Sequence, residues 1–233
     1  MKSIAVLGGK GGTTKTATAH LVCLGSQLQG TPACYVLTDP QRKVRGEGRP
    51  YVVLDGRAPD QLAVILASRD ASMNGWLIID GGGNRPEFDK QIAENVDLTI
   101  IPFRASEEDI DTVAQSLSSL PNSLAWPSAW PTNPFAINAA RYLLDGLSKA
   151  FPQRMIEPPI PFVNSISDLL ALTLVAPSTP VRAVARKAFA TMSDHYDSHH
   201  RTAQNVSHQP KQSRHAKPTR SQNVTSSEPS SMS

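Results

Sequence analysis

A nine-residue run, Gly8-Gly9-Lys10-Gly11-Gly12-Thr13-Thr14-Lys15-Thr16, constrains this chain more than any other feature. It follows a short apolar run, Ile4 to Leu7, and precedes a stretch in which Ala17, Leu21, Leu24 and Leu28 fall at helical spacing. Gly30-Thr31-Pro32 then stops the helix ahead of a second apolar run, Ala33 to Leu37. The segment therefore reads as strand, loop, helix, strand, the unit from which parallel sheets are built. The glycines let the loop turn tightly, so that its N–H groups and the helix N-terminus converge on phosphate oxygens. A simple tight turn has no need of two lysines; here Lys10 and Lys15 carry the charge that matches a phosphate.

The same alternation continues downstream. Tyr51 to Leu54, Trp76 to Ile79 and Leu98 to Ile101 read as further strands. Ser106 with Asp109 three residues on gives a capping-box-like helix start, and Ile110, Val113, Ala114 and Leu117 form that helix's apolar face. Its acidic first turn, Glu107-Glu108-Asp109, suits the positive end of the helix dipole. Pro121 to Pro134 holds four prolines and two Trp-Pro pairs, so irregular structure is expected there, with the tryptophans anchoring loops on the core. A late strand is expected at Phe135 to Asn138, then a helix through Tyr142 to Phe151. Ser178-Thr179-Pro180 opens a last helix, with Val181, Val184, Ala185, Ala188, Phe189 and Met192 on one face.

Composition limits what such a chain does. With 233 residues, 39% of them hydrophobic, it supports one α/β domain and not two large ones. No apolar run reaches the roughly 18 residues of a membrane span, and the N-terminal apolar run is too short for a signal peptide, so a cytoplasmic protein is expected. Two cysteines, Cys23 and Cys34, build neither a disulfide scaffold nor a zinc site, and read as packing residues. From Ser198 on, five basic residues face one acid, a net +4 that leaves the body at −1. That stretch has hardly an apolar side chain, so residues 1–197 are expected to form the domain and 198–233 a disordered basic tail.

The glycine run departs from the strict pattern G-x-x-x-x-G-K-[ST] at Thr14, but fits K-G-G-x-x-K-[ST], and so resembles the ParA/MinD class of deviant Walker A (P-loop) ATPases, ParA partition proteins most closely. Thr38-Asp39-Pro40-Gln41 is similar to their D-x-D-P-Q motif, with Leu37 in place of the first aspartate. Trp76-Leu77-Ile78-Ile79-Asp80 resembles a Walker B strand, and Ile100-Ile101-Pro102 the family's next strand end. The likeness is specific over about residues 1–110. It implies a doubly wound α/β fold with a mostly parallel sheet of about seven strands. It also implies ATP and Mg2+ as ligands, with Gly11, Gly12, Thr13, Thr14, Lys15, Thr16 and Ala17 cradling the nucleotide and Asn138 near its base. Thr16, Asp39 and Asp80 would serve the metal. Lys15 would meet the β/γ-phosphates, Lys10 would reach across an ATP-bound homodimer, and Asp39 would position the attacking water.

The resemblance further implies non-specific DNA binding, with Arg182, Arg186, Lys187 and the tail as candidate contacts, and a ParB-like stimulating partner. Arg42, Lys43, Arg45 and Arg49 form a second basic run, and a solvated face is the plain alternative for both clusters. His195 and His199, flanked by Asp194 and Asp197, have metal-like spacing but sit where the last helix is expected to fray. A MinD-like membrane role is disfavoured, because the polar tail has no amphipathic anchor. The leading expectation is a ParA-like partition ATPase in the cytoplasm, on the nucleoid. The alternative is an ATP-switched regulatory or DNA-transfer accessory protein with little turnover.

Overall fold

The computed structural model describes residues 1–9, 12, 14–69, 74–83, 85–173 and 176–207. Lys10, Gly11, Thr13 and the segment 208–233 lie outside the described residues. The chain runs β1 (Lys2–Val6), α1 (Lys15–Leu28), β2 (Ala33–Leu37), β3 (Val52–Asp55), α2 (Pro59–Ser68), β4 (Trp76–Asp80) and α3 (Pro86–Glu94). It continues with β5 (Leu98–Phe103), α4 (Glu107–Ser119), β6 (Ser123–Pro127), α5 (Pro134–Ala150), a 3-10 helix (Asn164–Leu170) and α6 (Thr179–Ser207).

The six strands form one parallel sheet in the order β3-β2-β4-β1-β5-β6. Central parallel strands are covered on both faces, which is why β4 is buried at every residue. One face packs under α1 and α6 through Ile4, Val6, Tyr35, Ile78 and Ile100. The other packs under α2 and α3 through Ala5, Val36, Leu77 and Ile79, and toward the β6 edge under α4 and α5 through Ile101, Phe103 and Ala125. α1 is enclosed nearly all round, because α6 crosses its outer side. Gly25 makes that crossing possible, since a Cβ there would lie 2.0 Å from the Ala185 carbonyl oxygen. Cys23 and Cys34 are free and pack in the apolar clusters, as expected.

The first five strands stand where the apolar runs placed them, and Ser106 caps α4 by accepting the Asp109 N–H at 3.3 Å. Three expectations are corrected, and the last helix runs longer than the expected boundary. The proline-rich stretch contains β6, the last strand of the sheet, which pairs with β5 and where Pro127 removes no ladder bond to it. Trp126 is buried and its indole N–H donates to the Pro158 carbonyl at 3.0 Å.

Phe135 to Asn138 is the first turn of α5 and not a strand. Asn133 accepts from the Phe135 and Ala136 N–H groups at 2.9 and 3.4 Å and Pro134 opens the helix, a start signal that outweighs the apolar run. The sheet has six strands among the described residues, where seven were expected. Residues 154–162 instead run beside β6 and the segment after it, bonding at Ala125, Pro127 and Trp130, but Pro158, Pro159 and Pro161 lack the N–H groups a regular seventh strand requires.

Finally, α6 runs to Ser207, past the expected boundary at 197/198. Its distal part is held to the domain. Tyr196 packs edge-on against Trp76 and donates to Asp97 at 3.0 Å, Lys2 pairs with Asp197 at 2.7 Å, and His199 Nε2 meets Asn122 Oδ1 at 2.6 Å.

Candidate functional site

A cleft of about 600 Å3 opens at the carboxyl ends of the strands, where an open α/β sheet binds its ligands. Gly12, Thr14, Lys15, Thr16 and Ala17 of the loop and the first turn of α1 form its floor. Thr14 adopts φ +66°, a left-handed conformation that a β-branched residue takes at a cost of about 1–2 kcal/mol. The reason a phosphate loop favours glycine at this position is thus visible. The Thr14 hydroxyl is hydrogen-bonded to that of Ser128, which ties the loop to the end of β6.

Asp80 ends β4, whose register sets it beside both Val6 of β1 and Leu37 of β2. Its carboxylate is fully buried. Burial pushes its pKa up to about 6 against the pull of the Tyr35 and Thr16 hydroxyls and of Arg42 and Lys15. The Tyr35 hydroxyl donates to Oδ2 at 2.6 Å, while Oδ1 has no hydrogen-bond partner among the described residues. Asp39 follows β2 and is drawn close to Asp80 because Thr38 donates its N–H and hydroxyl to the Asp80 carbonyl, at 3.2 and 2.7 Å. Gly82 permits the approach, since a Cβ there would lie 3.1 Å from the Asp39 Cα. Asp39 lines the cleft, accepts the Gln41 N–H at 2.9 Å and pairs with Arg42 at 3.3 Å. Leu37, at the position of the missing first aspartate, lies in the apolar core and contributes no charge.

Lys15 is buried to 7% exposure. Desolvation lowers its pKa, opposed by the carboxylates of Asp80, Asp89 and Asp39. A lysine placed this way gains most by meeting an anion that stays with it in the cleft. An orphaned carboxylate oxygen, the Thr16 hydroxyl and a buried cation together fit a magnesium–nucleotide donor set: Asp80 and Thr16 would hold the metal and Lys15 the phosphates.

Three site residues of the sequence reading, Lys10, Gly11 and Thr13, lie outside the described residues. Asn138 is exposed on α5 and not among the cleft residues. Sequence reasoning also missed the far wall, formed by Ile160 to Asn164, Ile166, Ser167 and Leu170, and the cation Arg104; Arg42, read only as part of a basic run, lines the cleft too. The prolines at 158, 159 and 161 were the available signal, because they force an extended segment that β6 then anchors. Asp89 of α3 was missed too: its Oδ1 is buried and unpartnered, and burial raises its pKa to about 6.

Arg182, Arg186 and Lys187 are exposed on α6. His195 and His199 contact the Glu157 backbone and Asn122, and no group of three metal-ligating side chains forms among the described residues. No helix among them is long and apolar enough to cross a membrane.

An all-parallel doubly wound sheet with this loop at the end of β1 is a P-loop NTPase-like fold, and the solved structures that share it include McdA, MinD and ParA proteins and a cobyrinic acid a,c-diamide synthase. McdA of Cyanothece, solved as an aspartate-to-alanine variant in complex with ATP, superposes with a TM-score of 0.62 at 15% identity, over 83% of this chain and 96% of that one. Cobyrinic acid a,c-diamide synthase from Mycobacterium smegmatis, solved with ADP and magnesium, gives 0.63 at 16% identity over 85% and 96%. The pNOB8 ParA bound to nonspecific DNA gives 0.51 at 17% identity over 88% and 99%. No protein-family model and no curated protein sequence matches the chain.

Proposed function

We propose that this protein is a ParA-like partition ATPase, which dimerises on ATP, binds DNA non-specifically, and hydrolyses ATP to ADP and phosphate when a ParB-like partner stimulates it on the nucleoid. One observation carries the reading: three chain-distant segments bring together Lys15 and Thr16, Asp39, and the buried Asp80 that interacts with Lys15 and Thr16, at a single cleft large enough for a nucleotide. Phosphoryl transfer to water needs charge neutralisation and an oriented nucleophile more than covalent help. Lys15 and the α1 N-terminus bind and orient the phosphates. Asp39, held by Arg42 and the Gln41 N–H, orients the attacking water. Asp80 and Thr16 hold the magnesium ion, which when bound neutralises phosphate charge. The wall at Ile160 to Asn164, with Ser128, shelters the rest of the nucleotide from solvent. The DNA-bound ParA among the structural neighbours supports the choice of partner, with Arg182, Arg186 and Lys187 as contacts.

Leu37 favours a second reading, an ATP-switched accessory protein with little turnover, because it removes a carboxylate from the motif and buries a leucine instead. Single-turnover hydrolysis with and without DNA separates the two. Lys15→Ala is expected to lose nucleotide binding by at least tenfold, read by fluorescent-ATP titration; wild-type affinity in that variant would refute the phosphate-loop assignment.

A further inference from the structure

Behind the cleft lies a buried polar array that the proposed chemistry does not use. Tyr35 of β2 is fully buried on the α1 side of the sheet, and its hydroxyl donates to Asp80 Oδ2 at 2.6 Å. The His20 ring of α1 stacks on it at 4.1 Å and 14°. His20 Nδ1 meets the Tyr51 hydroxyl at 2.9 Å, and that hydroxyl accepts from Arg49 at 2.9 Å. Arg49 in turn is anchored on the carbonyls of Arg45 and Ala171, at 3.0 and 2.7 Å. A phenylalanine would fill the core at position 35 as well, and burying a hydroxyl is unfavourable unless it finds a partner.

We propose that Tyr35 is a positioning residue for Asp80: it pins Oδ2, so that the unpartnered Oδ1 is the oxygen left for a divalent cation, and the inference rests on the magnesium–nucleotide reading of the cleft. An aspartate free to rotate its carboxylate offers either oxygen and loses orientation on binding. The hydrogen bond from Tyr35 and the ring stack behind it remove that freedom in advance. Groups that orient a metal-associated carboxylate in this way govern metal affinity while leaving the carboxylate itself in place.

The test uses the full chain and a non-hydrolysable fluorescent ATP analogue, titrated first in EDTA and then with Mg2+. Tyr35→Phe keeps the ring and its stack, and is expected to bind the analogue in EDTA within about twofold of wild type while needing about tenfold more Mg2+ for half-saturation. Tyr51→Phe, which removes a buried hydroxyl with no contact to Asp80, is expected to keep the wild-type Mg2+ response. Should Tyr35→Phe alone not fold, the comparison of Asp80→Asn with Asp80→Asn/Tyr35→Phe still decides, because Tyr35 is then expected to have no further effect on Mg2+ response. An unchanged Mg2+ response in Tyr35→Phe, an equal loss in Tyr51→Phe, or a further loss in the double variant each overturns the inference. A wild-type chain that binds no analogue in either condition overturns the site reading instead.

Discussion

Asp89 shows how a residue-scale conflict becomes measurable. Its carboxyl is almost enclosed, and burial outweighs the pull of Lys15 and Arg85, so the pKa rises from 3.8 to about 6. A carboxyl whose pKa is higher in the folded than in the unfolded state favours folding while protonated, and that contribution is lost as pH rises through about 6. Asp89→Asn avoids ionisation. In nucleotide-free protein it is expected to exceed wild type in stability by about 2 kcal/mol at pH 8, a margin that shrinks toward pH 4. Urea unfolding at the two pH values reads it, and a margin that does not change with pH contradicts the assignment. Thr14 holds a comparable strain in its backbone, offset in part by its bond to Ser128.

Among the elements, the crossing of α1 and α6 is the most closely fitted. The Cβ of an alanine at position 25 would meet the Ala185 carbonyl at 2.0 Å and the Phe189 Cβ at 2.6 Å, both parts of the helix and neither free to swing aside. Gly25→Ala would ordinarily help a helix by about 1 kcal/mol, but here overpacking dominates. A net loss of about 3 kcal/mol is expected in urea melts, together with weaker nucleotide binding, because α1 carries Lys15 and Thr16. A variant as stable as wild type would mean the two helices are not in this contact. Contacts with the domain likewise hold the distal part of α6: Tyr196, Asp197 and His199 each find a partner there, so a polar sequence is helical.

For the whole molecule, the question is how charge is shared between body and C-terminal segment. Because α6 extends to Ser207, the cut that spares the fold removes residues 208–233, with Lys211, Arg214, Lys217 and Arg220. This truncation is expected to leave ATP binding intact, weaken DNA binding at low salt, and reduce the salt slope by up to about 4. Identical affinity and slope would exclude the segment as a DNA contact. Lys10→Ala is expected to abolish ATP-induced dimerisation on sizing while the monomer stays folded; normal dimerisation would refute its role across a dimer.

What the sequence determined by itself was local. Apolar periodicity located five strands and the faces of α4 and α6, the Ser106 cap marked a helix start, and the glycine-lysine run with Asp39 and Asp80 marked the candidate site. Each of these signals acts over a few residues, within one turn of helix or one strand. Tertiary structure decided the rest. Tyr35 reaches Asp80 across 45 positions, Thr14 reaches Ser128 across 114, and the cleft wall stands where it does because β6 offers carbonyl and N–H groups to a segment whose prolines answer only some of them. Asn138 was misplaced for the complementary reason: its apolar run is strand-like, but the Asn133 cap and Pro134 start a helix whose only buried face is the one that docks through Ala140 and Leu147. Local patterning specifies which elements form and which side of each is apolar; which polar atoms then meet in the buried space between elements depends on packing contacts that no short stretch of sequence encodes.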